Sequence, residues 1–192
     1  MLIQQIPVVL TRLKTLVINN KELKSFFKLF FIIMGIVYGA KLYFYNNYCI
    51  NISPSIPKGI YKLKKVEDLK KGNVVYIEIP DNAKDIIWGR EYLPKHINYL
   101  VKYIQGVPKD LIEVKNNKLF INNEFKGNIQ NFDKQGKKLK SELPKKYTLK
   151  ENEYLLLGSD DNSYDSRYFG VVKKEQILKE AFKIKTVKIG NY

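Results

Sequence analysis

The sequence has very little cysteine or histidine: Cys49 and His96 are the only example of each among 192 residues. A single cysteine excludes an intramolecular disulfide and a cysteine-based metal site. A Ser-His-Asp triad would have to use His96, yet no serine lies in the G-x-S-x-G pattern of such hydrolases. His96 follows Pro94-Lys95, near the start of an apolar run, and we interpret it as a surface or turn residue.

The chain is also poor in acidic residues, with 19 Asp and Glu against 34 Lys and Arg, which gives a formal net charge of +15. Such a surface attracts nucleic acids or anionic membranes. The sequence contains no zinc finger, helix-turn-helix or RNP motif, so no nucleic-acid partner is expected. We interpret the charge as a solvated, lysine-rich surface with some attraction to a lipid bilayer.

Charge is absent altogether from the apolar stretch 29–40. Lys28 and Lys41 flank it, and aromatic residues beyond them extend it to the length that crosses about 30 Å of hydrocarbon. A surface helix of a soluble domain would show a polar face, and a cleavable signal peptide would be followed by an A-x-A-like site. The sequence shows neither, and it therefore predicts a transmembrane helix over residues 26–45.

The charges on the two sides of this anchor predict its orientation. Five basic residues and one acidic residue lie within 12–28, whereas 46–57 carry no charge. The positive-inside rule then places residues 1–25 in the cytoplasm as a basic segment. Residues 46–192 are expected to form a folded domain on the outer, periplasmic side of a cytoplasmic (inner) membrane that the chain crosses once.

A second apolar stretch, 6–18, precedes the anchor. Arg12 and Lys14 interrupt it. We therefore expect an amphipathic helix that lies in the membrane interface, rather than a second span.

Short apolar runs bounded by glycine, proline and asparagine follow residue 50, which is the pattern of β-strands. They span residues 73–79, 97–105, 111–114, 118–121, 153–157 and 182–189. Asn116-Asn117, between two of these runs, indicates a hairpin. The predicted fold class is mainly β, a sandwich or partly open barrel, with a short helix at 173–181 and an exposed, lysine-rich loop at 126–146.

A conformationally restricted loop follows the anchor at Ser53-Pro54-Ser55-Ile56-Pro57-Lys58-Gly59. Its two prolines and its glycine limit the backbone around Ser55. A loop of this kind can present a serine hydroxyl and direct backbone N–H groups toward a ligand. An ordinary membrane-proximal turn explains the same residues.

Lys102 stands inside the apolar run 97–105. Strand alternation places it on one face with Leu100 and Ile104. Burial disfavours the ammonium and lowers a lysine pKa from about 10.4 toward neutrality, where the free amine can take a proton from serine. The alternative is an edge strand whose lysine points outward and blocks aggregation.

The segment 158–170 is rich in acidic and amide residues, which raises the question of a calcium site. An EF-hand loop needs glycine at its sixth position and glutamate at its twelfth. A loop that starts at Asp160 or at Asp161 has neither, so no metal is expected. A solvated turn and an Asp165–Arg167 polar network both remain as interpretations.

Together these segments resemble type I signal peptidases, the Ser/Lys proteases that remove signal peptides from exported proteins. The resemblance covers most of residues 51–172, in the family's order. SPSIPKGIY is similar to the P-S-x-P-x-G-x-Y pattern of the conjugative-transfer (TraF-type) branch, whereas general signal peptidases more often have S-x-S-M-x-P-T. The similarity continues through KKGNVVYIEIP, YLVKYIQGVPKD and DSRYFGVV.

The resemblance implies roles for individual residues. Ser55 matches the nucleophile and Lys102 the general base. Ser53 matches the serine whose hydroxyl forms the oxyanion hole with the backbone N–H of Ser55. Three further residues match supporting positions: Ser163, which hydrogen bonds with the catalytic lysine, and the structural pair Asp165 and Arg167.

The chain departs from the family pattern at several positions. Aspartate is common where this chain has Asn73 and Ser159, arginine where it has Tyr103, and glycine where it has Lys109. The segment 158–163 is also one residue shorter than is typical. These departures concern the surroundings of Ser163 more than the two catalytic positions.

The function implied by the resemblance is a membrane-anchored endopeptidase that works through an acyl-enzyme, without metal or cofactor. Its partners would be precursor proteins with signal peptides, or pilin precursors of a conjugative apparatus. A general housekeeping signal peptidase is the first alternative, and a non-catalytic membrane adaptor of a secretion machine is the second. A self-cleaving regulatory protease of the SOS-repressor type would carry a DNA-binding domain where this chain has its anchor.

Overall fold

A computed structural model describes residues 20–186. The chain divides into two compact units, with the boundary after residue 46. The amphipathic helix expected at 6–18 lies outside the described residues. So do the last residues of the strand expected at 182–189.

The first described element is helix α1, Asn20–Asn47, which is 28 residues long. At 1.5 Å per residue it measures about 42 Å, against about 30 Å for the hydrocarbon core of a bilayer. Its mean hydropathy over an 18-residue window is 1.6, and none of its residues is buried. The helix is long and apolar enough to cross a membrane, and the predicted anchor 26–45 falls within it.

The second unit is built from two antiparallel sheets. The first has seven strands in the order β1-β2-β11-β3-β4-β9-β10. Their bounds are β1 Tyr48–Asn51, β2 Gly59–Lys64, β3 Val74–Glu78, β4 Tyr99–Gly106, β9 Glu153–Leu157, β10 Val172–Lys173 and β11 Ile177–Thr186. The second sheet has the order β7-β6-β5-β8. Its strands are β5 Leu111–Lys115, β6 Lys118–Ile121, β7 Glu124–Asn128 and β8 Lys146–Thr148.

Three short helical segments complete this unit: α2 Asp81–Gly89, α3 Ser166–Phe169 and a 3-10 helix, Lys174–Gln176. The mainly β fold class is therefore confirmed, as is the hairpin at Asn116-Asn117, which joins β5 to β6. His96 is exposed in a turn before β4, as expected.

Strand β4 carries Lys102, the residue that the sequence indicates as a candidate base. It lies inside the seven-stranded sheet, between β3 and β9, so the edge-strand interpretation of Lys102 is wrong. The predicted alternation is confirmed. Leu100 and Ile104 belong to one buried apolar cluster, whereas Val101 belongs to a different one. Lys102 therefore shares its face with the larger core of this unit.

One further sequence-based expectation is wrong, and one helix was not predicted. The helix expected at 173–181 is only the 3-10 turn, followed by β11, which pairs with both β2 and β3. Tertiary pairing decides this segment because β11 fills the gap between two strands of the main sheet. Helix α2 was not predicted, although Ala83 and Ile87, four residues apart, form its buried face.

The segment 126–146 is more ordered than the exposed loop that was expected. It begins inside β7, and Phe132 forms an isolated antiparallel bridge with Lys138. Leu139 and Leu143 pack against the core of the four-stranded sheet. This segment also forms one wall of the cavity described below.

Candidate active site

Lys102 is 2% exposed and points from β4 into the interior. Its ammonium Nζ donates a hydrogen bond of 2.6 Å to Ser163 Oγ. Burial lowers the pKa of this ammonium to about 8, and the nearby Asp165 carboxylate opposes that effect only in part. Lys102 therefore exchanges a proton close to neutral pH, unlike an ordinary surface lysine.

Arg167 shapes the loop that carries Ser163. The guanidinium is almost fully buried, and its Nε and Nη2 donate to the two carboxylate oxygens of Asp165 at 2.9 and 2.8 Å. It also donates to four backbone carbonyl oxygens, those of Asn128 (3.2 Å), Asp161 (3.3 Å), Asp160 (3.0 Å) and Ser163 (3.4 Å). The polar network that was one interpretation of this segment is therefore present, and it fixes the position of Ser163.

Gly158 allows this loop to approach the loop that carries Ser55. A Cβ atom at this position would lie 2.6 Å from Ser163 Cβ and 2.8 Å from the carbonyl oxygen of Ser55. The next residue, Ser159, donates to that same carbonyl oxygen from its backbone N–H at 2.7 Å and from its hydroxyl at 3.2 Å. The two loops are thus joined at the carbonyl group of Ser55.

Ser55 and Lys102 line a common cavity of about 370 Å³, together with Ser53 and Ser163. Lys102 hydrogen bonds with Ser163 and not with Ser55. Within residues 20–186, neither the hydroxyl nor the backbone N–H of Ser55 has a hydrogen-bond partner. Both groups are therefore free to interact with a ligand in the cavity.

The four predicted residues Ser53, Ser55, Lys102 and Ser163 are thus brought to one cavity. Asp165 and Arg167 do not line it. They act behind it, through the loop that carries Ser163. This arrangement offers a serine with a free hydroxyl and a free N–H, and a lysine with a lowered pKa.

The geometry of the Ser55 loop explains part of the motif P-S-x-P-x-G-x-Y. Gly59 has a φ of +155°, and a Cβ atom there would overlap the carbonyl oxygen of Lys185 on β11. Tyr61 is 1% exposed, and its hydroxyl donates to the carbonyl oxygen of Pro57 at 2.7 Å. Glycine permits close pairing with β11, and tyrosine ties the end of the loop to β2.

Sequence reasoning missed Asn51, the last residue of β1. It is 5% exposed, and its Nδ2 donates to the carbonyl oxygens of Ser53 at 2.9 Å and Ile56 at 3.0 Å. Its Oδ1 accepts a hydrogen bond of 3.1 Å from Ser53 Oγ. An asparagine four positions before the serine was the only signal in the sequence, and it does not reveal that the side chain turns back over the loop.

Sequence reasoning also missed Asp133, which lines the same cavity. Its carboxylate accepts a hydrogen bond from the Tyr92 hydroxyl and forms an ion pair with Arg90 at 2.8 Å. The backbone N–H groups of Gln135 and Lys137 also donate to it, at 2.9 and 2.8 Å. Burial alone would raise the pKa of this carboxyl, but these hydrogen bonds outweigh burial and hold it well below its usual range. Asp133 therefore fastens the loop after β7 to the chain that follows α2.

Residues 23–185 match the family model described as signal peptidase, peptidase S26. The chain belongs to this family.

The chain is similar to the signal peptidase IB of Staphylococcus aureus strains Mu50 and N315, with 31% identity over 128 residues for each. The match covers 59% of this chain and 59% of each relative, so the chain spans less than two thirds of their length. A crystal structure of a signal peptidase I from Enterococcus faecalis V583 matches with 21% identity and a TM-score of 0.37. That match covers 60% of this chain and 98% of the other. The TraF-type branch of the signal peptidases stays a prediction.

Of the four substituted positions that depart from the family pattern, only Ser159 contacts the Ser55 loop. Asn73 accepts a hydrogen bond from the backbone of Lys70, and Lys109 forms an exposed ion pair with Glu151. Tyr103 lies on the other face of β4 from Lys102, where it packs against a different apolar cluster. Ser159 holds the carbonyl group of Ser55 with both its backbone and its side chain.

Proposed function

We propose that this protein is a membrane-anchored serine endopeptidase that removes signal peptides from precursor proteins through an acyl-enzyme. The observation that carries the proposal is a desolvated lysine in the same cavity as a serine with a free hydroxyl and a free N–H. A lysine with a pKa of about 8 is unprotonated near neutral pH in a far larger fraction of molecules than an exposed lysine is. Membership in the signal-peptidase family supports the same reaction.

The mechanism assigns one role to each group. Lys102 removes the proton from Ser55, and Ser55 Oγ attacks the carbonyl carbon after a small residue of the substrate. The Ser55 N–H and the Ser53 hydroxyl donate to the oxyanion, and each donor of this kind contributes about 2.7–4 kcal/mol in comparable sites. Lys102 then returns the proton to the leaving amine. Water completes hydrolysis of the ester.

Ser163 supports this mechanism by orienting the base. Its hydroxyl oxygen is the hydrogen-bond acceptor for Lys102 Nζ, so the amine is held at the cavity wall. Asp165 and Arg167 keep Ser163 in place. Removal of any of the three should impair the base without removing the nucleophile.

Point variants of the full chain in detergent or vesicles test the proposal. The probe is a precursor protein with an N-terminal signal peptide. Ser55→Ala and Lys102→Met should each reduce cleavage by more than about a thousandfold, as in other enzymes that lose a nucleophile or base. The matched controls are Ser141→Ala and Lys62→Met, which remove a serine and a lysine outside the cavity. Cleavage at the wild-type rate by Ser55→Ala or Lys102→Met would refute the mechanism, and failure of the wild type on every precursor would favour an adaptor role.

The anchor and its orientation form a second part of the proposal. Helix α1 is suited to a bilayer, and the excess of basic residues before it favours a cytoplasmic N-terminus. A C-terminal epitope tag should then be removed by protease added outside spheroplasts, whereas an N-terminal tag should be protected. The reverse result would invert the proposed topology.

A conjugative or pilin-specific role is a narrower candidate. The P-S-x-P-x-G-x-Y pattern favours it, and Gly59 and Tyr61 both make specific contacts in this loop. Cleavage rates measured on pilin precursors and on ordinary secretory precursors would separate it from a housekeeping role. Mass spectrometry would show whether water or an amine of the pilin itself attacks the acyl-enzyme. A cyclised pilin is lighter by one water than the linear product of hydrolysis.

A further inference from the structure

Asn51 contacts the loop that carries Ser55 at three points. Its amide nitrogen donates to the carbonyl oxygens of Ser53 and Ile56, which lie on either side of Ser55. Its amide oxygen accepts the proton of the Ser53 hydroxyl. One buried side chain therefore satisfies two backbone groups of this loop and also restrains the rotamer of Ser53.

The other braces of this loop do not touch Ser53. Tyr61 donates to the carbonyl oxygen of Pro57, and Ser159 donates to that of Ser55. Of the groups in residues 20–186 that hydrogen bond with the loop, only Asn51 reaches the hydroxyl of Ser53. Restraint of that hydroxyl is thus separable from general bracing of the loop.

We propose that Asn51 is a positioning residue that sets the oxyanion-hole hydrogen bond of Ser53. This inference rests on the proposed function and adds a residue to it. In the substrate-free state the Ser53 O–H points at Asn51 Oδ1. When the oxyanion forms, the O–H turns toward it by rotation about the Cβ–Oγ bond, while Oγ stays in place. Pre-positioned donors of this kind accelerate catalysis because they need little reorganisation in the transition state.

The proposal predicts a specific kinetic signature for Asn51→Ala. Because a misplaced donor weakens only the transition state, kcat should fall about tenfold while KM changes little. The pH at which activity is half-maximal should stay that of the wild type, since Lys102 is not touched. A shift of that pH would indicate that the whole site has rearranged, and would overturn the proposal.

A double-mutant cycle gives the decisive measurement. Ser53→Ala should lower kcat by about a hundredfold or more, as loss of one oxyanion donor does elsewhere. Asn51→Ala should then have little further effect in the Ser53→Ala background, because coupled residues are not additive. An equal effect of Asn51→Ala in both backgrounds would overturn the proposal, and so would a rise in kcat.

Tyr61→Phe is the matched control, since it removes a loop hydrogen bond that does not involve Ser53. Tyr61→Phe should change kcat by the same factor in the wild-type background and in the Ser53→Ala background. Coupling of Tyr61 to Ser53 as strong as that of Asn51 would mean that Asn51 is only a general brace. Asn51→Thr, a substitution that strands favour, replaces Asn51→Ala in the cycle where the alanine variant does not fold.

The outcome separates this inference from the proposed function. Ser55→Ala is measured in the same assay with the same signal-peptide precursor. An inactive Ser55→Ala with additive Asn51 and Ser53 effects rejects only the role of Asn51. An active Ser55→Ala rejects the proposed function itself.

Discussion

Lys102 Nζ and Ser163 Oγ lie 2.6 Å apart, and their hydrogen bond joins β4 to the loop after β9. Through Ser159, which donates to the carbonyl oxygen of Ser55, the same loop also contacts the Ser55 loop. One short loop therefore positions both Lys102 and Ser55.

Activity should depend on pH through Lys102. The protonated ammonium cannot accept a proton from serine, so kcat/KM should rise as pH increases through about 8 and then level off. A rate profile in buffers from pH 6 to about 10 measures this. An activity that rises only near the pKa of an exposed lysine would show that Lys102 is solvated.

Substitution of Gly158 should disable the site without unfolding the protein. In Gly158→Ala the new methyl group would meet Ser163 and the carbonyl oxygen of Ser55, which must move apart. We expect kcat to fall by about a hundredfold, since small displacements of reacting groups have effects of that size. Gly89→Ala is the control, because a Cβ at Gly89 meets nothing within 4 Å. Equal activity of the two variants would contradict the close approach of the loops.

Arg167 should matter more for stability than any exposed ion pair. Arg167→Met leaves the carboxylate of Asp165 buried without its partner, and breaking such a pair costs about 3–5 kcal/mol of unfolding free energy. Urea unfolding measures the loss. Glu151→Gln breaks the exposed pair with Lys109 and should cost less than about 1 kcal/mol. Similar losses for both variants would mean that solvent reaches the Arg167 site.

Loosening the cavity wall formed by the loop after β7 should affect substrate binding more than chemistry. Asp133→Asn weakens the ion pair with Arg90 that fastens the loop after β7. Within residues 20–186, no hydrogen bond joins this loop to the Ser55 loop or to Lys102. KM should rise about tenfold with kcat nearly unchanged, because an interaction present equally in ground and transition states is lost. Asp81→Asn, which removes an exposed ion pair with Lys84, is the control. A fall in kcat at constant KM would place the role of Asp133 in the chemical step.

Local sequence patterns predicted strands β3, β4, β5, β6 and β9, but not β1, β2, β7, β8 or β10. Alternation located Lys102 on the face of Leu100 and Ile104, because side chains on a strand alternate between its faces. Burial of that face could not be read from the pattern. An edge strand and an interior strand have the same alternation, and only the pairing of β4 with both β3 and β9 distinguishes them.

Other misses have a similar cause. Residues 177–181 belong to a strand because β11 fits between β2 and β3, a long-range pairing that local propensity does not encode. Asn51 and Asp133 escaped notice because each is a single polar residue whose partners are distant or fold back over it. Helix α2 could have been predicted from the sequence, since its buried residues Ala83 and Ile87 have helical spacing.

The sequence by itself determined the apolar helix near the N-terminus, the mainly β class and the residues of the candidate site. The helix and the fold class depend on composition and periodicity over a few residues, whereas the site residues follow from the resemblance to signal-peptidase motifs. The tertiary structure decided that Lys102 is desolvated, and that Gly158 and Ser159 bring the loop after β9 against the loop that carries Ser55. These depend on distances between segments that lie far apart in the chain, and packing of the whole domain sets those distances.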